Sequence, residues 1–149
     1  MVMNHVVALD PGTNELESLL TGTKTMIVRG SDVKCIPYGT VSEGDVLYFV
    51  SGDNCTEIQA KGVVSSVYNS YELSEEESYE MIIRNQDKLI LPDEQFYRWA
   101  GKRFLVLIGL ENVEMIRSFN INKNSLLDSE GWFTSENIEI QVSQKLKTA

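Results

Sequence analysis

Leu19-Leu20-Thr21-Gly22-Thr23-Lys24-Thr25-Met26-Ile27-Val28-Arg29 is where an apolar helical face gives way to an apolar strand. Leu16, Leu19 and Leu20 recur at the i, i+3, i+4 spacing of one helix face. Asn14 followed three residues later by Glu17 has the form of a capping box, so the spacing predicts a helix from about Asn14 to Thr21. Gly22 stands just past the last apolar position, where a left-handed backbone ends a helix without a Cβ penalty. Met26, Ile27 and Val28 then read as a strand. Lys24 and Arg29 flank it, so an ammonium and a guanidinium fork could face an anion over the turn, with Thr23 and Thr25 adding hydroxyl donors. Spacing alone equally allows two solvated charges at strand ends, whose removal would cost little stability.

Gly22-Thr23-Lys24-Thr25-Met26-Ile27-Val28-Arg29 resembles the G-x-K-x-x-E-x-R motif of ASCH domains, small β-barrels of the PUA superfamily, with Ile27 where the motif has its acid. The resemblance runs over roughly residues 5 to 116. It includes the leucine-bearing helix before the motif, Glu43-Gly44-Asp45 before the apolar Val46 to Val50, and Lys61-Gly62-Val63-Val64 in a further strand. It implies an α+β fold: a PUA-like mixed, mostly antiparallel β-barrel with a few short peripheral helices. It also implies a cleft beside the motif for RNA, a nucleotide or a modified nucleoside. Some ASCH relatives are similar to amidohydrolases of acetylated cytidine, which use a lysine, a threonine three residues later and a glutamate. Lys24 matches the lysine, whereas Ile27 stands at the threonine. Thr25 lies one residue before the strand and is not a straightforward substitute for a nucleophile at position 27, so the resemblance leaves catalytic residues unassigned and the reading leans away from an enzyme.

The 149 residues fit one domain able to bury about 70% of the surface its unfolded chain exposes. Twenty-two acidic against 13 basic residues leave a formal charge of −9, which argues against an extended duplex-coating surface, since such surfaces cluster Lys and Arg against phosphates. Any anion site is therefore local. No apolar segment is long enough for a membrane span, and no cleavable signal sequence precedes Cys35 and Cys55. Reduced cysteines in a cytoplasmic protein are the simpler reading than a disulfide. One histidine, His5, and two distant cysteines do not make a zinc site. His5 reads as a strand residue with its hydrogen bond satisfied, and neither a metal nor a cofactor is expected.

Along the chain, His5 to Leu9 is a first strand closed by the turn signal Asp10-Pro11-Gly12. Gly30 to Asp45 lacks periodicity and makes a long connection, the kind that is often functional. Within it Cys35 and Tyr38 either lie over the cleft or pack the loop down. Val46 to Val50 is apolar throughout, as a strand buried on both faces would be, and Ser51-Gly52-Asp53-Asn54 closes it. Ser51 either brings a hydroxyl to the cleft rim or bonds its own turn backbone. Glu57 to Tyr68 alternates with period 2. Ser74 and Glu77 form a second capping box, opening a helix to about Arg84 whose expected buried face is Tyr79, Ile82 and Ile83. The acids Glu75 to Glu77 are a capped, solvated turn rather than a cation site. Another short helix starts at Pro92 and ends at Gly101, and its Phe96, Tyr97 and Trp99 pack the core or stack a base. Phe104 to Leu110 reads as a central strand, extended by Val113, Met115 and Ile116 and preceded by the second basic cluster, Lys102-Arg103.

Residues 117–149 read as a divergent C-terminal appendage. Trp132-Phe133 and Ile138 to Val142 offer attachment, and Ser143 to Ala149 form a frayed tail. Three functions follow. A binding module would hold RNA, a nucleotide or a modified nucleoside at Gly22, Thr23, Lys24, Thr25, Arg29 and Ser51. A small amidohydrolase of modified nucleosides would use Lys24 with an unidentified acid. A protein-partner or structural module would present the acidic helix around Glu75 to Glu80.

Overall fold

The continuous apolar run around Phe104 to Leu110 belongs in the middle of a sheet covered on both sides, and that is where it lies. A computed structural model describes residues 2–9, 14–50, 57–120 and 132–135. The elements are β1 (Asn4–Ala8), α1 (Glu15–Thr21), β2 (Met26–Ser31), β3 (Val46–Val50), β4 (Glu57–Asn69), α2 (Glu75–Arg84), α3 (Gln86–Leu89), α4 (Asp93–Trp99), β5 (Phe104–Asn120) and β6 (Trp132–Ser135). Six strands form one sheet in the order β2-β5-β4-β3-β1-β6. All neighbours are antiparallel except β1 and β3, which run parallel. The sheet curls into a half-barrel with short helices around it, the α+β architecture expected. Among the described residues no helix is long and apolar enough to cross a membrane.

Strand parity divides the core in two. On β5, Val106, Ile108 and Leu110 join Ile27 of β2, Leu19 of α1, Phe49 of β3 and Trp132 of β6 in one cluster. Leu105 and Leu107 join Val28 in a second cluster, which α2, α3 and α4 cover with Ile82, Leu89 and Ala100. Both faces are thus dry at Ile27 and Val28 of β2 and from Leu105 to Leu110 of β5, which explains the apolar sequence there. β4 is the half-wet strand anticipated: Ile58, Ala60, Gly62 and Val64 are buried, while Gln59, Lys61, Val63 and Ser65 are partly exposed.

Local signals behave unequally. Gly22 caps α1 at φ +80°, its N–H donating to the Leu19 carbonyl. The Ser74 and Glu77 capping box closes with both bonds, at 3.1 and 2.9 Å. The Asn14 and Glu17 box does not form: Asn14 has φ −87° and ψ 39°, outside the extended geometry a side-chain cap needs, and makes no such bond. On α2 the buried residues are Ser78 and Ile82, whereas Ile83 is 60% exposed. The Ser78 hydroxyl accepts from the Gly101 N–H at 3.0 Å, and this close approach turns the helix so that Ile83 faces outward. The short α3 was not anticipated.

His5 is fully buried, and its Nε2 donates to Asp45 Oδ2 at 2.9 Å. The indole Nε1 of Trp132, a donor only, reaches His5 Nδ1 at 3.3 Å, so Nδ1 accepts and the ring proton sits on Nε2. Asp45 also accepts from the backbone N–H groups of Ser42 and Met3. Burial opposes its charge, but the bonds from His5, Ser42 and Met3 outweigh that and hold its carboxyl below the usual value. This knot ties β1, the turn before β3 and β6 together, so residues 132–135 are an edge strand paired with β1. The turns at Asp10 to Gly12 and Ser51 to Asn54, together with Cys55 and residues 136–149, lie outside the described residues.

Candidate functional site

Two cavities open beside the motif strand, and they share one wall residue, Gln95 of α4. Gln95 is 3% exposed and lies one helical turn from Trp99, so the same face of α4 carries an amide toward one cavity and an indole toward the other.

The smaller site, about 400 Å³, is built on Lys24. The αL turn at Gly22 brings the chain back so that the Lys24 N–H donates to the Ser18 carbonyl at 3.0 Å. The side chain then runs inward, and Lys24 is 2% exposed. Its ammonium donates to the carbonyl of Leu89 at the end of α3 and lies 3.8 Å from Glu15 Oε2. Gln95 Nε2 donates to the same carboxylate oxygen at 2.9 Å. The other oxygen, Glu15 Oε1, is buried without a hydrogen-bond partner among the described residues. Burial pushes the Lys24 ammonium below the ordinary lysine value. The Glu15 carboxylate opposes that shift and the Arg29 guanidinium adds to it. Lys24 is therefore not the solvated strand-end charge that spacing allowed.

The larger site, about 410 Å³, is built on Arg29. Its guanidinium donates to the carbonyls of Val28 at 2.7 Å and Ala8 at 3.0 Å, and lies over the Trp99 ring, 5.4 Å from the centroid. The chain's two tryptophans, Trp99 and Trp132, both line this cavity. The opposite wall is the 32–45 connection. Tyr38 there donates its hydroxyl to the Ser70 carbonyl, meets Phe104 edge-on at 5.6 Å, and carries the Lys34 ammonium 5.5 Å above its ring. Cys35 and Tyr38 both line the cavity, so the connection packs down and faces the cleft at once. Cys35 is a free, exposed thiol. A Cβ on Gly30 would meet a Leu105 methyl at 2.8 Å and the Lys102 stem at 3.2 Å, which is how the second basic cluster comes beside the motif strand.

Of the residues singled out from sequence, Lys24 and Arg29 line these cavities, one in each. Gly22, Thr23 and Thr25 line neither. Gly22 is the helix cap, Thr23 exchanges a hydroxyl bond with Thr21 at 3.1 Å, and Thr25 is exposed while its backbone links Lys88 and Leu110. Ser51 lies outside the described residues. Ile27 is 1% exposed in the core, facing away from any solvent-filled space. Glu15 and Gln95 were missed. Glu15 stands four residues before Leu19, hence on the apolar face of α1, and a carboxylate there is a signal of its own. Of the acids at the start of α2, Glu77 is occupied: it accepts from Ser74 N and from the Tyr71 hydroxyl at 3.1 Å. Among the described residues no group of three His, Cys, Asp or Glu side chains is placed to hold a metal.

No family model matches this chain, and no curated protein does. Solved structures match it end to end. The ASCH protein from Zymomonas mobilis superposes with a TM-score of 0.66 over 96% of this chain and 94% of that one, at 14% identity. A point mutant of the same protein gives 0.66 over 96% and 97%, again at 14% identity. The chain has an ASCH, PUA-like fold. At that identity the likeness concerns the course of the backbone.

Proposed function

We propose that this ASCH-fold protein is a binding module for a nucleotide, a modified nucleoside or a short single-stranded RNA segment, held in the cleft beside Lys24 and Arg29. The observation that carries the reading is the Arg29 guanidinium lying over the Trp99 ring at 5.4 Å inside a cavity of about 410 Å³. Base-binding sites in single-stranded recognition combine planar groups on which a base stacks with cations for the adjoining phosphate. Here Trp99, Tyr38 and Phe104 supply the planes, and Arg29 and Arg98 supply the charge. The acidic remainder of the chain, at −9 overall, repels longer nucleic acid and keeps binding local.

Because both tryptophans line the cavity, intrinsic fluorescence reports occupancy directly. Titration with uridine 5′-monophosphate and with tetrauridylate is expected to quench it saturably. Arg29→Ala and Trp99→Ala should each weaken binding about tenfold, within the range measured for loss of one stacked base. Unchanged affinity in both variants, with the fold intact by circular dichroism, removes the cleft from consideration.

The second reading, hydrolysis of acylated nucleosides, is favoured by one observation: a buried lysine held below its ordinary value beside Glu15, as a general base requires. Against it, Ile27 lies in the core and has no hydroxyl to attack an acyl carbon. The expectation is no turnover of acetylcytidine above background. Turnover abolished by Lys24→Ala would reverse the order of the two readings.

A further inference from the structure

We infer that Gln95 is the specificity-determining residue of the Arg29 cavity: its carboxamide oxygen is the acceptor that reads an N–H on the inner edge of the bound base. The inference rests on the nucleotide-binding reading above and adds what the base must carry.

The amide is oriented by its neighbour. Gln95 Nε2 lies 2.9 Å from Glu15 Oε2, and a carboxylate can only accept, so the nitrogen end of the amide faces Glu15 and the oxygen end is turned away from it. A flipped amide would set a carbonyl against the carboxylate. Gln95 Oε1 makes no hydrogen bond to a described residue. Unlike Glu15 Oε1, it is not sealed from solvent either. Because Gln95 as a whole is 3% exposed, the surface that Oε1 retains opens onto the cavities the side chain lines. Glu15 stands in the wall of the Lys24 cavity. The oxygen turned away from Glu15 therefore belongs to the Arg29 side.

That cavity is graded from dry to charged. Its deep residues Leu9, Val106 and Trp132 are each 2% exposed, and the only polar atom among their side chains, the indole N–H of Trp132, is spent on His5. The cations sit further out, with Arg29 half-buried and Arg98 exposed. A nucleotide is accordingly held base inward, its phosphate left with the guanidinium groups. Gln95 is then the buried lining side chain with an unspent polar atom for the base edge to meet. An acceptor in such a place rejects a ligand that displaces its water and returns no donor. Uracil offers its ring N–H and cytosine its amine. Pyrimidin-2-one, with an unprotonated ring nitrogen and no amine, offers neither.

The test is isothermal calorimetry on the full chain with three ribonucleoside 5′-monophosphates that share ring size, ribose and phosphate: those of uracil, cytosine and pyrimidin-2-one. The better bound of the first two should exceed the third about tenfold, the scale of one buried acceptor left unpaired. Gln95→Met keeps the chain length and lacks the acceptor, so the ratio should fall to about twofold or less, with the thermal midpoint reporting that the variant is folded. Arg29→Ala should weaken all three ligands and leave the ratio standing. A pyrimidin-2-one nucleotide bound by the wild type as tightly as the other two, still sensitive to Arg29→Ala, overturns the inference and leaves the binding function in place; this comparison holds whether or not Gln95→Met folds. A ratio that survives Gln95→Met in folded protein overturns it as well. Absence of binding for all three strikes the binding function itself, and the inference with it.

Discussion

Replacing Lys24 by alanine tests whether the buried polar cluster carries structural weight. The substitution removes the ammonium that donates to Leu89 and strands the Glu15 carboxylate, 5% exposed, with the Gln95 amide as its partner. Breaking a buried ion pair from one side typically costs about 3–5 kcal/mol. Two features place this pair at the low end. The nitrogen lies 3.8 Å from Glu15, and burial already holds Lys24 below its ordinary value, so part of the ammonium's desolvation cost returns when it is removed. The expected loss is about 3 kcal/mol, which for a domain of this length lowers the thermal midpoint by roughly 6–12 °C. Adding Glu15→Gln removes the stranded charge and should recover about 1 kcal/mol, a coupling readable from a double-mutant cycle in urea. Alkaline pH gives an independent check. A lysine whose folded value lies below 10.5 binds fewer protons folded than unfolded across that interval. Stability therefore rises as pH increases from the folded value toward 10.5, and this rise is absent in Lys24→Ala. A midpoint within 2 °C of wild type, or strict additivity of the two substitutions, would mean that the cluster is solvated and the reasoning wrong.

Further outcomes follow from the same geometry. Asp45→Asn should cost about 2–3 kcal/mol, since one of the donors from Met3, His5 or Ser42 would then face an amide N–H. Because the Asp45 carboxyl is held below 3.8, its contribution is complete above that pH and is lost as pH falls through the folded value. Urea midpoints of the variant should therefore fall less steeply than wild type in acid. Gly30→Ala brings a methyl to 2.8 Å from Leu105 and is expected to cost about 1–3 kcal/mol. It should also disturb nucleotide affinity, because Gly30 lines the Arg29 cavity. For a short RNA neutralising two or three phosphates, log affinity should fall with log salt at a slope of about −1.4 to −2; a slope beyond about −4 would indicate an extended basic surface instead.

The parts of the fold legible in sequence were those where one residue pattern has one physical solution. Alternation from Glu57 to Tyr68 fixes a half-wet strand, Ser74 and Glu77 close a box that needs only local geometry, and an unbroken apolar run at Phe104 to Leu110 fits only a strand covered on both faces. Where tertiary contacts decide, the reading failed. The Asn14 box is defeated by the backbone angles at its own cap, and Ile83 is turned outward because Gly101 docks on Ser78. The site was half legible. The motif drew attention to Lys24, just before β2, and Arg29, within it, but sequence spacing could not tell a solvated lysine from a buried one, nor reveal that the two cations open into separate cavities with Gln95 between them. That separation depends on α4, nearly seventy positions further on, and on a carboxylate placed on the apolar face of α1.

The most direct measurement is a crystal of the full chain soaked with uridine 5′-monophosphate at a concentration that saturates the fluorescence change. The account predicts the nucleotide in the cleft of Arg29, its phosphate within hydrogen-bond distance of a guanidinium lining the cavity and its base against an aromatic ring. A nucleotide bound elsewhere on the surface, with both cavities empty, would contradict it.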